Sequence, residues 1–202
     1  SNLFTVGTRR PMEIKNLKLP DVKVIQAKTH EDSRGSFTET YNNKDLADAE
    51  INDLFVQDNV TRSLLSGTVR GLHFQKPPHA QAKIIRVLKG RILDVVVDIR
   101  HGSPTYGQHD AVELDADSGL QLYAPVGVAH GFITLEPNTD VMYKVSSLYA
   151  PDTEGGVRWD DPELAIDWRV GAATITISDR DAKLPRLSEL PEIFAYVGAG
   201  TS

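Results

Sequence analysis

Short stretches of alternating polar and apolar residues fill most of the chain and predict β-strands rather than long helices. The clearest alternation covers residues 36–41, and residues 92–99 form a strongly apolar run after a tight turn at Lys89 and Gly90. Strands are predicted over residues 22–26, 36–41, 55–59, 69–75, 82–88, 92–99, 111–114, 121–124, 129–134 and 141–145. Many short strands with Gly and Pro turns favour an antiparallel sandwich or barrel, and no βαβ unit indicates a doubly wound fold.

Helical patterns are confined to two segments. Residues 43–54 form the better candidate, because Asn43 can cap a helix whose apolar stripe includes Leu46 and Leu54. Residues 178–194 predict short helical turns and loop, with Ser178 as an N-cap. A chain of 202 residues is long enough for one sizeable core. We therefore predict a single all-β domain over residues 1–202, with about residues 1–11 as a flexible N-terminal extension.

The composition excludes several classes of protein and site. There is no cysteine, which rules out disulfides, thiolate metal sites and cysteine nucleophiles, and which fits the cytoplasmic location that we predict. The formal net charge of −6 disfavours nucleic-acid binding, although one basic pocket on an acidic protein can still bind an anionic small molecule. Neither a long apolar run nor an apolar signal core occurs, so we expect no membrane span.

The sharpest local motif is RGLHFQ at residues 70–75. On a regular strand Arg70 and His73 point to opposite faces, and His73 shares its face with the small and polar residues Gly71 and Gln75. A histidine on such a face lines a cavity or forms a buried structural hydrogen bond, and the motif by itself leaves both interpretations open.

A second histidine follows a turn in PVGVAHGF at residues 125–132, which resembles the second conserved box of the cupin jelly rolls. In metal-binding cupins the first box supplies a His-x-His pair and a carboxylate, whereas here His73 is followed by Phe74 and Gln75. Two lone histidines, His73 and His130, fall short of the three or four ligands that a metal site needs. We therefore predict a cupin-type antiparallel jelly-roll barrel with a few short helices and no metal.

Without a metal, a histidine can act as a general base if a carboxylate orients its ring. Asp181 is a candidate for that carboxylate, although the sequence alone does not join it to His73. Lys83, on the strand after His73, can stabilise an enolate oxygen, and Tyr143, on a late strand, can deliver a proton. Taken singly, these two also fit structural roles, as a solvated lysine and a core tyrosine.

Several motifs follow one another along nearly the whole chain. They are RGLHFQ at 70–75, QAK at 81–83, DVVVDIRHGSPT at 94–105, AHGF at 129–132, YK at 143–144, GVRWDDP at 156–162 and SDRD at 178–181. This ordered set resembles the dTDP-4-dehydrorhamnose 3,5-epimerase family, and the resemblance covers about residues 19–187. One motif would be weak evidence, whereas the ordered set is specific for the family.

The resemblance implies a homodimer with strand exchange, in which each barrel holds an active site that needs no cofactor. It implies an enzyme that inverts C3 and C5 of dTDP-4-keto-6-deoxy-D-glucose to give dTDP-4-keto-L-rhamnose. By motif, His73 matches the base and Asp181 its partner, Tyr143 matches the proton donor, and Lys83 matches the lysine near the keto oxygen. The positions that match substrate-binding residues are Arg34, Glu39, Gln57, Asn59, Arg70 and His130.

One position departs from the family pattern. After Tyr143 the family often carries two adjacent aromatic residues, where this chain has Leu148 and Tyr149. A leucine cannot stack on substrate, which keeps open an enzyme that inverts only C3 or only C5 of another dTDP-4-keto-deoxysugar.

Two further hypotheses come from different classes of protein. The first is a noncatalytic sugar-nucleotide-binding cupin, and the complete set of His73, Asp181, Tyr143 and Lys83 argues against it. The second is a metal-dependent cupin oxygenase or isomerase, and the missing second histidine of the first box argues against it.

Overall fold

Short strands make up most of the fold, because turns with Gly, Pro and Asp interrupt the chain every few residues. The computed structural model describes residues 12–171 and 174–198. Its strands are β1 (Glu13–Asn16), β2 (Lys23–Gln26), β3 (Thr29–Asp32), β4 (Gly35–Thr38), β5 (Gln57–Ser63), β6 (Val69–Gln75), β7 (Lys83–Lys89), β8 (Arg91–Asp98), β9 (Arg100–His101), β10 (His109–Asp115), β11 (Leu120–Ala124), β12 (Val128–Thr134), β13 (Thr139–Val145), β14 (Glu154–Gly156) and β15 (Phe194–Ala195). The described helices are α1 (Asn43–Asp48) and α2 (Asp179–Ala182), with 3₁₀ turns at Pro151–Thr153 and Leu187–Glu189.

Two antiparallel sheets face each other and contain most of the strands. One sheet has the order β1-β2-β11-β7-β13-β5, and the other has the order β10-β8-β12-β6-β14. From β5 onward, successive strands mostly alternate between the two sheets, as in a jelly roll. This arrangement confirms the predicted all-β, cupin-type antiparallel jelly-roll barrel with a few short helices.

Apolar side chains pack on both sides of the two sheets. Ile85 and Phe132 are buried between the sheets. On the outer face of the five-stranded sheet, Val95 belongs to a buried cluster with Trp168 from the C-terminal part of the chain. On the outer face of the six-stranded sheet, Leu46 of α1 covers the strands. Because β8 is buried on both faces, its sequence is a nearly continuous apolar run instead of an alternation.

Helix boundaries differ from the prediction at one site and agree at another. α1 is shorter than the predicted helix over residues 43–54, because Glu50 adopts a left-handed backbone conformation (φ 64°) that ends it. Its N-cap is Asn42, whose side chain accepts two backbone N–H groups, so the assignment of the cap to Asn43 is wrong. The cap at Ser178 is confirmed, because its side chain accepts the N–H of Asp181 at the start of α2.

Strand boundaries differ where pairing extends or stops a strand. The strand predicted over residues 55–59 is β5, which continues to Ser63 because β13 pairs with all of it. The strand predicted over residues 36–41 is β4, which ends at Thr38, opposite the first residue of its hairpin partner β3. The pattern does not predict five strands. Strands β9, β14 and β15 have only two or three residues, too few to show an alternation, and β1 and β3 expose nearly all of their side chains.

No helix in the described part of the chain is long and apolar enough to cross a membrane. The flexible extension predicted for residues 1–11 lies outside the described residues. The single domain over residues 1–202 stays a prediction.

Candidate functional site

A polar cavity of about 110 Å³ lies between the two sheets. Strands β5, β6, β7, β12 and β13 and helix α2 contribute its lining, although they are distant in sequence. The lining residues are Thr61, Arg70, His73, Lys83, His130, Phe132, Tyr143 and Asp181. The fold therefore brings together the four predicted catalytic residues and two predicted substrate-binding residues, Arg70 and His130.

His73 and Asp181 form a hydrogen-bonded pair in this cavity. His73 Nε2 lies 2.7 Å from Asp181 Oδ1, and the His73 side chain is 40% exposed whereas Asp181 is buried. Burial would raise the pKa of Asp181, but the hydrogen bond and charge interaction with His73 and a backbone N–H from Gly71 hold that pKa below its usual value. The carboxylate therefore stays ionised, orients the imidazole and leaves the other ring nitrogen free to accept a proton.

A β-bulge at Gly71 turns two side chains of β6 into the cavity. His73 pairs with His130, and Arg70 pairs with Phe132. Between these two pairs β6 therefore has one residue more than β12, as in a β-bulge. The prediction that Arg70 and His73 point to opposite faces is therefore wrong, because both line the cavity. Gly71 has φ 105°, and its N–H donates to Asp181 Oδ2 at 3.0 Å. The bulge thus both aims His73 and holds its carboxylate partner.

Lys83 is buried at the start of β7, with its side chain at the cavity. Burial lowers its pKa to about 8, and the negative charges of Asp94 and Glu154 oppose that shift. Its Nζ atom lies 5.9 Å from the centre of the Tyr143 ring. Lys83 is thus a cation at neutral pH, and it can stabilise a negative charge that develops on a ligand in the cavity.

Tyr143 occupies β13 directly opposite Asn59 on β5. Burial, which outweighs the opposing effects of Arg70 and Asn59, raises the pKa of Tyr143. Its hydroxyl therefore stays protonated at neutral pH and can serve as a proton donor. Asn59 Oδ1 also accepts a hydrogen bond from Gln57 Nε2 at 2.9 Å. Gln57 and Asn59 thus lie on the strand next to the proposed acid, although neither lines the cavity itself.

Arg34 and Glu39 lie apart from the cavity lining. Arg34 is at the turn of the β3–β4 hairpin, is 88% exposed and pairs with Asp32 at 2.6 Å. Glu39 follows the hairpin and accepts a hydrogen bond from the side chain of Asn42. The hairpin forms a separate two-stranded sheet. Neither of the two main sheets therefore places Arg34 or Glu39 at the cavity of their own chain.

Two acidic residues near the cavity have no role in the sequence-based prediction. Asp94 lies on β8 behind the cavity, and its Oδ1 is 2.6 Å from His130 Nε2. Glu154, on β14, pairs with Arg180 at 2.5 Å and accepts a hydrogen bond from Tyr149 at 3.0 Å. A signal for Asp94 was available, because it is a charged residue inside a strongly apolar strand. The sequence contains no comparable signal for Glu154.

Most of the chain matches the model of one known family. The family model described as dTDP-4-dehydrorhamnose 3,5-epimerase matches residues 16–189. The chain belongs to this family. The dTDP-4-dehydrorhamnose 3,5-epimerase of Sinorhizobium fredii is 42% identical over 190 residues, which cover 92% of this chain and 95% of that protein.

Solved structures of family members agree with the fold. The Legionella pneumophila enzyme RmlC, solved in complex with dTDP-4-keto-L-rhamnose, is 38% identical, with a TM-score of 0.88 over 93% of this chain and all of that chain (100%). ChmJ of Streptomyces bikiniensis, a 3'-monoepimerase solved in complex with dTDP-quinovose, is 32% identical, with a TM-score of 0.83 over 89% of this chain and 92% of that chain. RmlC, a dTDP-6-deoxy-D-glucose-3,5-epimerase, is therefore somewhat more similar to this chain than the monoepimerase ChmJ is.

Two features bear on the rival hypotheses of a metal enzyme and a single-site epimerase. In residues 12–171 and 174–198 no three His, Asp or Glu side chains are arranged to hold a metal ion. The metal-free site nonetheless stays a prediction. Leu148, which stands where the family often has an aromatic residue, is 64% exposed, and its carbonyl accepts a hydrogen bond from Gln75 Nε2. Its side chain is thus open to contact with a ligand.

Proposed function

We propose that this protein inverts C3 and C5 of dTDP-4-keto-6-deoxy-D-glucose to give dTDP-4-keto-L-rhamnose, without a cofactor. The observation that carries the proposal is a His73–Asp181 pair that shares one cavity with a buried lysine, Lys83, and a tyrosine, Tyr143. Membership of the 3,5-epimerase family and the likeness to a relative that binds dTDP-4-keto-L-rhamnose support the substrate and the reaction.

The first step is removal of a proton from the carbon beside the 4-keto group. Such a C–H group is weakly acidic, because its conjugate base is an enolate whose charge is delocalised onto the keto oxygen. His73 accepts the proton through the ring nitrogen that does not contact Asp181, and the ionised Asp181 stabilises the imidazolium that forms. The partial exposure of His73 gives a bound sugar access to it.

The next steps stabilise the enolate and return a proton. Lys83 holds the developing charge on the keto oxygen, and its effect is stronger in a buried site than in water. Tyr143 then donates its proton to the opposite face of the ring, so that the carbon is inverted. Both C3 and C5 flank the 4-keto group. The same residues serve the second carbon once His73 has released its proton to water and Tyr143 has regained one from water.

Proton NMR of dTDP-4-keto-6-deoxy-D-glucose incubated with the protein in D₂O tests the proposal. Deuterium at both C3 and C5, with formation of the rhamno product, is the expected result. Deuterium at only one carbon would instead assign a single-site epimerase, the second candidate, which Leu148 and the likeness to a 3'-monoepimerase favour. No exchange by a folded protein would contradict an epimerase for this substrate and would favour a noncatalytic binding role.

We also propose a homodimer with strand exchange, because the chain exposes apolar side chains along an edge strand, where a second copy could pair. Val60 is 62% exposed on β5, an edge strand of the six-stranded sheet, and Leu64 is 65% exposed just after it. An open edge with apolar side chains favours pairing with another chain. The exposed β3–β4 hairpin with Arg34 then reaches the cavity of the partner.

Mixing two inactive variants tests this exchange. If Arg34 acts on the partner's site, dimers assembled from Arg34→Ala and His73→Ala chains contain one intact site. Random assortment then restores about a quarter of the wild-type activity, since half of the dimers are mixed and each has one working site. No recovery, although mixed dimers form, would place Arg34 in the site of its own chain. Sedimentation velocity establishes the dimer itself.

The remaining expectations concern location and selectivity. We propose a cytoplasmic location, which the absence of cysteine fits.

A small anionic substrate suits the cavity, because Arg70 and Lys83 both line it. Arg70 is held there by hydrogen bonds to Ser63 Oγ and to the Arg62 carbonyl, each 3.1 Å long.

A further inference from the structure

Asp94 is a fully buried carboxylate that the proposed reaction does not yet use. Oδ1 bonds His130 Nε2 at 2.6 Å, whereas Oδ2 has no hydrogen-bond partner among the described residues. A buried carboxylate with an unsatisfied oxygen is costly unless a nearby positive charge compensates it. Burial raises the pKa of Asp94, and the interactions with His130 and Lys83 oppose that rise. Lys83, which is buried at the same cavity, thus helps to keep Asp94 ionised, and the attraction between the two charges favours the charged form of both groups.

We propose that Asp94 is a positioning residue of this site: it fixes the ring of His130 and supplies the buried negative charge that keeps Lys83 a cation. Asp94 is not among the residues that line the cavity, so it acts through His130 and Lys83 rather than on the substrate. The role of Lys83 at the keto oxygen rests on the proposed function. The effect of Asp94 on the charge of Lys83 is a property of the protein without substrate.

The charge of Lys83 depends on two opposing effects, burial and the nearby carboxylates, of which Asp94 is one. Burial lowers the pKa of Lys83 to about 8, and Asp94 is the larger of the two opposing influences. Without that carboxylate, more of the Lys83 side chain would be a neutral amine near pH 7. A neutral amine places no positive charge beside the enolate oxygen, so catalysis would weaken.

The groups around Lys83 come from every element that surrounds the cavity. They are Asp94 on β8, Glu154 on β14, His130 on β12, Tyr143 on β13, Arg70 and His73 on β6, and Asp181 on α2. The negative charge of Asp181 is shared with His73, and that of Glu154 with Arg180 and Tyr149. Asp94 is bound only to His130 among the described residues, so its charge is the one most available to Lys83.

An NMR titration of Lys83 tests the electrostatic part. The protein is labelled with ¹³C at the lysine Cε atoms, and the Lys83 signal is assigned from its loss in Lys83→Arg. Asp94→Asn is expected to lower the pKa of Lys83 from about 8 by about one unit or more. Asp98→Asn is the matched control, because Asp98 is also fully buried on β8 but bonds Arg100. An unchanged Lys83 titration in folded Asp94→Asn would overturn the proposal.

The pH profile of kcat/KM provides a second readout. We expect the activity of the wild type to fall as Lys83 loses its proton above pH 8, and in Asp94→Asn this basic limb should move to lower pH. A purely structural role would instead lower the whole profile without moving the limb, and that result would overturn the proposal. Failure of the wild type on the substrate would sink the proposed function and leave the NMR result standing, so the two failures are distinguishable.

A second variant covers the case in which Asp94→Asn does not fold. Lys83→Met removes the cation and keeps a side chain of similar length. Because Lys83 opposes the burial-driven rise in the pKa of Asp94, that pKa should rise further in this variant. A ¹³C titration of the Asp94 carboxyl group measures it without substrate, and an unchanged Asp94 titration would overturn the proposal.

Discussion

His73 and His130 each bond a carboxylate through Nε2, at 2.7 Å to Asp181 and at 2.6 Å to Asp94. Their surroundings differ, since His73 is 40% exposed and His130 is buried. A base must reach the carbon of a bound sugar, whereas a buried histidine is better suited to hold neighbouring groups in place. Exposure, rather than the type of contact, therefore separates their proposed roles.

His73→Ala is expected to lower kcat by about 10²-fold or more, the usual scale for a lost general base. Turnover of dTDP-4-keto-6-deoxy-D-glucose measures it. His79→Ala is the control, because His79 is exposed just after β6 and does not line the cavity. Turnover near the wild-type value in a folded His73→Ala protein would refute its role as the base.

Tyr143→Phe is expected to retain deuterium exchange but to slow inversion. Phenylalanine keeps the buried ring, whereas it removes the hydroxyl whose raised pKa keeps a proton available. Deuterium uptake and product formation are measured by NMR in the same sample. Tyr106→Phe should leave both unchanged, because Tyr106 stacks on His101 away from the cavity. If exchange and inversion decreased in strict proportion, a separate acid would be ruled out.

Among the elements, the β6 bulge decides the geometry of the site. A Cβ atom on Gly71 would lie 2.6 Å from the His130 carbonyl oxygen and 2.8 Å from Gly131 Cα, so only glycine fits there. The extra residue in β6 aims Arg70 and His73 into one cavity and frees a backbone N–H for Asp181. Strand periodicity alone places these two side chains on opposite faces, because a bulge depends on the neighbouring strand.

Gly71→Ala is expected to lower the free energy of unfolding by about 2 kcal/mol or more, and to reduce kcat because the His73–Asp181 pair moves. Gly102→Ala is the matched control, with φ 84° but no atom within 4 Å of the added Cβ. It should cost about 1–2 kcal/mol, from backbone strain alone, and leave kcat nearly unchanged. Equal kcat values for the two variants would show that the bulge does not position the site.

At the scale of the whole molecule, a buried polar cluster joins the end of β8 to the following turn. Asp98 accepts hydrogen bonds from Arg100 Nε at 2.9 Å, Ser103 Oγ at 2.5 Å and Thr105 Oγ1 at 2.6 Å. Arg100 also donates to the Pro20 carbonyl, which ties the N-terminal part of the chain to the barrel. Residues 98–105 of the motif at 94–105 therefore have a structural role, whereas Asp94 at its start lies behind the cavity.

Asp98→Asn is expected to destabilise the fold by about 3 kcal/mol near pH 7, because Arg100 loses its buried partner. Burial would raise the pKa of Asp98, yet its hydrogen bonds from Arg100, Ser103 and Thr105 hold it below the usual value. A depressed pKa contributes stability above the unfolded-state value of about 4, and that stability is lost as pH falls through the folded-state pKa.

The free energy of unfolding of both proteins, measured from pH 7 downward, checks this dependence. The difference between wild type and Asp98→Asn should shrink below about pH 4. Exposed Asp117→Asn should change little at any pH. A difference that stayed constant with pH would mean that the charge of Asp98 contributes nothing to stability.

The strand-rich class, the ordered family motifs and the residue types for proton transfer are all predictable from the sequence, because periodicity and local motifs depend on neighbours along the chain. Which of those residues meet depends on the fold. It joined His73 to Asp181 across 108 positions and His130 to Asp94, and it left Arg34 on an exposed hairpin. Such contacts follow from sheet register, the bulge at Gly71 and the approach of two sheets, and these depend on pairing between distant strands.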